Sequence, residues 1–262
     1  MELGLAGKRA IVTGASRGIG RACALGLAKE GVEVCIVSRT KTDLEQVVSE
    51  IEAIGVCGYA VTEDLATAEG CRQVVQEAVR FLGGVDILIN NVGSAQNSDI
   101  LDLAREQIES ALRLKSFSYL KMAQEVIPHM KLNRWGRIIN IAGAAGTSPT
   151  RHNIPTGSAN ILILNMTRAL SDAVAKDGIL VNSICPGLTN TNRARTQQRA
   201  KAKKEGKNVE DLLLQLAGRL PAGRMAEPEE IANAAVFLAS SACSYVFGSS
   251  IYMDGGQRRG TP

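Results

Sequence analysis

Aromatic side chains are scarce in this 262-residue chain: one Trp, four Tyr and four Phe, together 3%. A platform that stacks single-stranded nucleic acid needs more rings than that, so this class of function is disfavoured at the outset. Only two histidines, His129 and His152, are present. That is too few for a His-based metal cage, and no metal is expected. The six cysteines (Cys23, Cys35, Cys57, Cys71, Cys185 and Cys243) include no Cys-x-x-Cys pair. Most sit in apolar runs, where Cys acts as a small buried hydrophobe; this usage suits a reducing compartment better than a disulfide framework. No apolar run reaches the roughly 18 residues that a membrane span requires. The N-terminal MELGLAGKRAIVTG lacks the basic-then-apolar layout of a signal segment. The expectation is a cytoplasmic protein with no membrane partner.

What is present is ample core material, with 45% hydrophobic and 21% charged residues. Short β-branched runs at 9–13, 33–38, 58–61, 86–90, 137–141, 180–184 and 250–253 read as strands. Between them, segments at 19–29, 43–54, 68–81, 100–114, 116–130, 159–175 and 228–238 carry the 3.6-residue periodicity of helices. Apolar strands alternating with helices imply a parallel sheet covered on both faces, and right-handed crossovers make it doubly wound. With no linker, repeat or low-complexity tract, residues 1–262 read as one α/β domain. The compositional break is an inserted helical flap at about 190–220, whose 191–210 stretch holds seven basic and two acidic residues. The remaining 23 basic and 24 acidic residues nearly cancel, so the net charge of +4 belongs to the flap. A basic segment of this kind is usually a solvated helix face, and no nucleic-acid partner is expected.

The first strand runs into Thr13-Gly14-Ala15-Ser16-Arg17-Gly18-Ile19-Gly20 and then a helix. Glycines there permit a tight turn and let backbone N–H groups approach a pyrophosphate at the positive end of the helix. The second strand ends in Ser38-Arg39, where an acidic residue would hydrogen-bond the ribose of NAD. With Arg17, these residues suit a 2′-phosphate, because guanidinium forks match phosphate oxygens. NADP(H) is therefore the expected cofactor, with NAD(H) the lesser alternative.

TGASRGIG, the Glu63-Asp64-Leu65 stretch, NNVG, GRIINIAG, VNSICPG and YMDGG occur in this order along nearly the whole chain. In order and spacing they resemble the short-chain dehydrogenase/reductase family. The resemblance implies a seven-stranded Rossmann-type sheet, NAD(P)(H)-dependent oxidoreduction of a small molecule, and a homotetramer or homodimer. It also implies that Asp64, followed by Leu65, holds the adenine amino group and that Asn91 and Gly93 line the adenine ribose. Pro186, Gly187 and Thr189 would close over the nicotinamide, with Thr191 near the phosphates.

At the catalytic end the pattern departs from the family. The family works with a Tyr and a Lys four residues apart on one helix, a Ser on the fifth strand and a helical Asn. Aligned on GRIINIAG and VNSICPG, those four positions fall on Thr156, Asn160, Gly143 and, counting back from Ile127-Pro128-His129-Met130, Lys115. No tyrosine elsewhere restores the pair, since Tyr59, Tyr119, Tyr245 and Tyr252 are followed four places on by Glu63, Ala123, Ser249 and Gly256.

A Thr156 hydroxyl can hydrogen-bond a substrate but is a poor acid, and Asn160 can hydrogen-bond a ribose without contributing charge. Lys115 could return a cation to the site from a neighbouring helix, where burial would lower its pKa. His152, in a loop that the resemblance places beside the substrate, could donate a proton near neutral pH, with Arg151 binding an anionic substrate. His129 reads as surface and Cys185 as inert core. The leading expectation is an NADP(H)-dependent oxidoreductase with altered proton transfer, acting on an acceptor that is already activated. A lyase, isomerase or dehydratase on the same fold, and a catalytically silent NADP(H)-binding protein, remain the alternatives.

Overall fold

A computed structural model describes residues 1–93 and 98–258, apart from the side chains of Ala200 and Lys204. Seven parallel strands, β1 (Arg9–Thr13), β2 (Glu33–Ser38), β3 (Gly58–Thr62), β4 (Ile87–Asn90), β5 (Gly136–Ile141), β6 (Ile179–Pro186) and β7 (Ser250–Met253), lie in the order 3-2-1-4-5-6-7. The fold is a single-domain, doubly wound Rossmann-type α/β sandwich, as the alternating pattern implies.

Strand periodicity explains why both faces are covered. Ala10 and Val12 of β1, Val34 and Ile36 of β2 and Ile87 and Ile89 of β4 join one buried cluster. That cluster is completed by α1 (Gly18–Lys29), α2 (Lys41–Ile54) and α9 (Pro228–Ala239). Ile11, Cys35, Val37 and Leu88 point the other way, onto α3 (Ala68–Leu82) and α5 (Ser118–Leu132). On the same side lies α6 (Ile154–Val174), packed against β6. Strands with apolar residues at both parities can be stable only between two helical layers.

The strand order reverses between β1 and β4, which pair through Ala10–Ile87, Ile11–Leu88 and Val12–Ile89. Beyond those pairs the strands part. The Thr13 hydroxyl spans the split, donating to Ile89 O at 3.4 Å and accepting from the Asn91 and Val92 N–H groups at 2.9 and 3.3 Å. Ligands of open α/β sheets bind at such a switch point.

Two segments differ from the sequence reading. The helix expected over 100–114 resolves into a 3₁₀ turn (Ile100–Asp102), a short α4 (Arg105–Ala111) and a π turn (Leu112–Phe117) that runs on into α5. The Ser118 hydroxyl donates to Leu114 O at 2.7 Å and Lys115 O at 3.2 Å, competing with the i→i−4 ladder at the widened turn. The basic flap is two helices, α7 (Asn192–Glu205) and α8 (Val209–Ala217), the second burying Leu212 and Leu213. No helix among the described residues is long and apolar enough to cross a membrane.

Candidate active site

A cleft of about 460 Å³ opens at the carboxyl ends of β1, β2 and β4. Gly14, Ser16, Arg17, Gly18 and Ile19 line its floor, Ser38, Arg39, Asp64 and Leu65 one end, and Asn91, Gly93 and Thr191 the other. These are twelve of the residues expected at the cofactor. Gly20 is buried behind them. A Cβ there would fall 2.3 Å from Gly14 O and 2.5 Å from Asn91 Nδ2, so only glycine lets α1 start this close to the strand. Asn91 Nδ2 donates to Thr13 O and Gly14 O at 3.3 and 3.1 Å, which makes Asn91 a brace for the turn as well as a wall of the cleft.

The amino end of α1 has no side-chain cap and no acidic residue in its first turn. Free N–H groups at a positive helix end suit phosphate oxygens. Arg17 and Arg39 are exposed and, among the described residues, sit in no ion pair; the carboxylates Asp43 and Glu63 share that end of the cleft. Asp64 is partly committed to its own turn, accepting from Ala66 N–H at 3.0 Å.

Pro186, Gly187 and Thr189 do not line the cleft; they brace its far wall. Gly187 N–H donates to Met253 O at 3.0 Å, and buried Thr189 forms a parallel bridge with Ala226. Thr191, which does reach the cleft, caps α7 by accepting from Ala194 N–H at 3.3 Å.

A buried polar cluster lies under Gly93, behind the cleft lining. Lys115, on the π turn, is only 8% exposed. Its Nζ donates to Asn160 Oδ1 at 2.6 Å and also to Ala142 O at the end of β5. Its stem packs so tightly beneath Gly93 that a Cβ on that glycine would lie 3.2 Å from Lys115 Cδ. Burial, then the positive charge of Arg193, bring the Lys115 ammonium down to about 7, with Cys185 acting weakly in the opposite sense. The π turn is tied to α6 by the Ser116 hydroxyl, which donates to Ala159 O at 2.9 Å, so Lys115 and Asn160 are held in register.

Gly143 follows β5 with φ +128°, and a Cβ on it would stand 3.0 Å from Asn160 Nδ2. The Thr156 hydroxyl is buried with no hydrogen-bond partner among the described residues, as is that of Thr147. Tyr119 offers no substitute acid. Burial pushes its phenol far above the ordinary tyrosine range, and its OH is engaged by Val92 O at 2.9 Å and Ile141 O at 3.1 Å.

The structure brings Lys115 and Asn160 together and leaves His152 apart. His152 is exposed in its loop, with Nδ1 3.7 Å from Asp99 Oδ2, while Arg151 Nη2 reaches the same oxygen at 3.1 Å. Neither residue lines the cleft. The guanidinium of Arg151 holds the Asp99 carboxyl below its usual range, so the loop's charge is answered within the loop.

Arg193, which the sequence presents only as one basic residue of the flap, does reach the cleft. Its Nη1 donates to Gly93 O at 3.0 Å from the first turn of α7. A detectable signal was its position two residues after the capping Thr191. No group of three or more His, Cys, Asp or Glu side chains among the described residues is placed to hold a metal.

The family described as enoyl-(acyl carrier protein) reductase matches residues 14–258. The 3-oxoacyl-(acyl-carrier-protein) reductase FabG of Staphylococcus epidermidis is 31% identical over 252 residues, covering 95% of this chain and 98% of that protein. This chain belongs to the short-chain dehydrogenase/reductase family. FabG of Vibrio cholerae is likewise 31% identical, over 97% of this chain and 98% of its own. L-sorbose reductase of Gluconobacter frateurii, solved with NADPH and L-sorbose, superposes with a TM-score of 0.95 at 34% identity, covering 100% of both chains. As a short-chain dehydrogenase/reductase, the protein is an NAD(P)-dependent oxidoreductase acting on a small molecule.

Proposed function

We propose that this short-chain dehydrogenase/reductase is an NADP(H)-dependent reductase in which Lys115 manages the proton. The observation that carries this reading is the buried Lys115–Asn160 hydrogen bond at 2.6 Å. In the family pattern the Asn stands on the helical bend and the Lys on the following long helix. Here the two side-chain types have changed places. The cation returns to the site from the opposite wall, and Asn160 Oδ1 accepts one of its protons.

A Lys near pH 7 can hold or release a proton under ordinary conditions, a requirement that a threonine hydroxyl at position 156 does not meet. Thr156, with its unpartnered hydroxyl, would hydrogen-bond the substrate rather than protonate it. Two other groups that could carry a proton are engaged elsewhere: the Tyr119 hydroxyl is held by two carbonyls and His152 faces Asp99.

The cleft fits the cofactor on its own terms: an uncapped helix end over the glycine turn, and two unpaired guanidiniums where a 2′-phosphate would lie. Gly14 to Gly20 and Thr191 would hold the diphosphate, Ser38, Arg17 and Arg39 the 2′-phosphate, and Asn91 and Gly93 the ribose. When bound, NADP(H) supplies the hydride chemistry that the chain itself lacks. With no phenol to protonate an alkoxide, the best acceptors are those already activated, such as an iminium, a quinone or a polarised C=C bond. Ile100, Leu101, Phe117 and Ile161 expose apolar surface on elements near α6, which supports self-association into a homodimer or homotetramer.

The test is NADPH oxidation followed by absorbance against a panel of such acceptors, repeated with Lys115→Met and Lys115→Arg. Wild type should turn over at least one acceptor. Lys115→Met should lose roughly 100-fold or more in kcat, the ordinary weight of a proton-transfer group, with NADPH affinity unchanged. Undiminished turnover by the Met variant would overturn the assignment.

A further inference from the structure

Two cationic side chains from different parts of the chain touch one glycine, one through its guanidinium and the other through its aliphatic stem. Lys115 comes from below, its stem packed against Gly93 on the side where a Cβ would stand 3.2 Å from Cδ. Arg193 comes from above, across 100 residues of sequence, and donates from Nη1 to Gly93 O at 3.0 Å. Among the described residues neither has a carboxylate partner. Every acceptor found for Lys115 is a neutral oxygen, on Asn160 or Ala142, and the one found for Arg193 is a peptide carbonyl.

Three other cations of the flap are paired. Arg195 pairs with Glu210 at 2.9 Å, and Lys201 and Lys207 both lie within ion-pair range of Glu205. Arg193 is the basic residue of the flap that lines the cleft, and among the described residues it has no counterion there.

We propose that Arg193, anchored on Gly93 O where it lines the cleft, is an oxyanion-recognition residue that selects a substrate bearing a carboxylate next to the reacting centre. This rests on the reading of the cleft as a reductase site and names its substrate class. The chemistry is direct. The bond to Gly93 O occupies one of the five N–H donors of a guanidinium, which leaves the fork free for a two-point contact with a carboxylate. Lys115 lies behind it, with its Nζ on Asn160 Oδ1 and Ala142 O.

The arrangement also couples binding to protonation. The titratable groups facing Lys115 are Arg193 from α7 and the Cys185 thiol from β6, which burial raises to about 11; the Tyr119 phenol lies on its own helical run. Burial is the main cause that holds the ammonium down, and the repulsion from Arg193 adds to it. An anion seated on Arg193 would cancel that repulsion and favour a protonated Lys115 when the substrate is present. Arg151, the anion ligand expected from the sequence, is already paired with Asp99 and drops out of this role.

Oxyanions could reach Arg193 from two sources, a substrate carboxylate or the cofactor's own diphosphate, and binding measurements separate them. Calorimetry would titrate oxalate and malonate into the wild-type enzyme–NADP⁺ complex, into Arg193→Gln and into Arg193→Lys, with the neutral oxamide as control. A separate fluorescence titration would measure NADPH binding to each protein.

The expected result is oxalate or malonate binding by wild type, weakened roughly tenfold or more in Arg193→Gln and partly restored in Arg193→Lys. Oxamide binding and NADPH affinity should be the same in all three. Absence of dicarboxylate binding by wild type, or equal binding by Arg193→Gln, would overturn the proposal. NADPH affinity falling in step with the variant would also overturn it, by assigning the guanidinium to the cofactor. None of these readouts involves turnover, so the site can fail while NADPH oxidation persists, and the reverse.

Discussion

Replacing Lys115 by methionine removes a buried ammonium while keeping most of the stem that packs under Gly93. In the folded chain this lysine titrates near 7, against 10.5 for an ordinary lysine. Between those values the unfolded chain binds more protons than the folded one, so wild-type stability rises with pH across that window. Seen from the alkaline side, the stability is fully present above the unfolded value and is lost progressively as pH falls toward 7.

Integrated from about pH 7 to about pH 8.5, the linkage amounts to roughly 1.6 kcal/mol. Lys115→Met lacks that dependence altogether. Against this gain at low pH stands the loss of two hydrogen bonds, which leaves Asn160 Oδ1 and Ala142 O without a donor at about 1–3 kcal/mol each. The sign of the net change at any single pH is therefore a poor test. The slope of the difference with pH is the good one.

The assay is urea unfolding of both proteins at several pH values in that range, followed by fluorescence of Trp135, the chain's single tryptophan. The upper limit matters because burial pushes the Cys23 and Cys35 thiols up to about 12 from 9.0. Their raised values contribute stability that is lost as pH climbs above the ordinary thiol range, and this would mask the lysine. Wild type should gain on Lys115→Met by about 1.6 kcal/mol from the bottom of the range to the top. Parallel stability curves would mean that Lys115 stays protonated throughout, and its role as a neutral-pH proton carrier would fall with them.

Two further outcomes follow from the cleft. Arg39→Ala should raise the Kd for NADPH roughly tenfold while leaving NADH nearly unchanged, measured by cofactor fluorescence; equal effects on both would remove the 2′-phosphate assignment. Gly143→Ser would add a hydroxyl where the proposed alignment sets the family's serine, yet the φ of +128° and a Cβ at 3.0 Å from Asn160 Nδ2 make it a strained substitution. A melting curve should show a loss of about 1–3 kcal/mol and kinetics should show no gain in turnover, whereas a stable and faster variant would refute that reading of the site.

The sheet was legible because buried parallel strands announce themselves as short β-branched runs. Strands β1, β2 and β7 fall where the runs at 9–13, 33–38 and 250–253 place them, and the other four shift by a residue or two. Helix α6 begins five residues before its apolar periodicity does, since Pro155 at its first turn suits a helix start without adding to the apolar stripe. The π turn was not legible. Residue periodicity cannot distinguish a widened turn from a continuous helix when the cause is a serine hydroxyl, here that of Ser118, reaching back to Leu114 O. That turn positions Lys115, which the sequence singles out without showing its buried contacts with Asn160 and Ala142. Arg193 was hidden for a different reason. Its charge was one of seven in a basic segment, and only the cap at Thr191 sets which of them faces inward.

The Thr13 hydroxyl that spans the parting of β1 and β4 bears on kinetics. Its bonds to Ile89, Asn91 and Val92, with the Asn91 amide on Gly14 O, hold the crevice apart through the chain's own contacts. A dinucleotide meeting this cleft finds its backbone cradle already built and has no ordering cost to meet there. Arrival should then be a matter of encounter and orientation, similar for different dinucleotides, and discrimination among them should reside in how long each one stays.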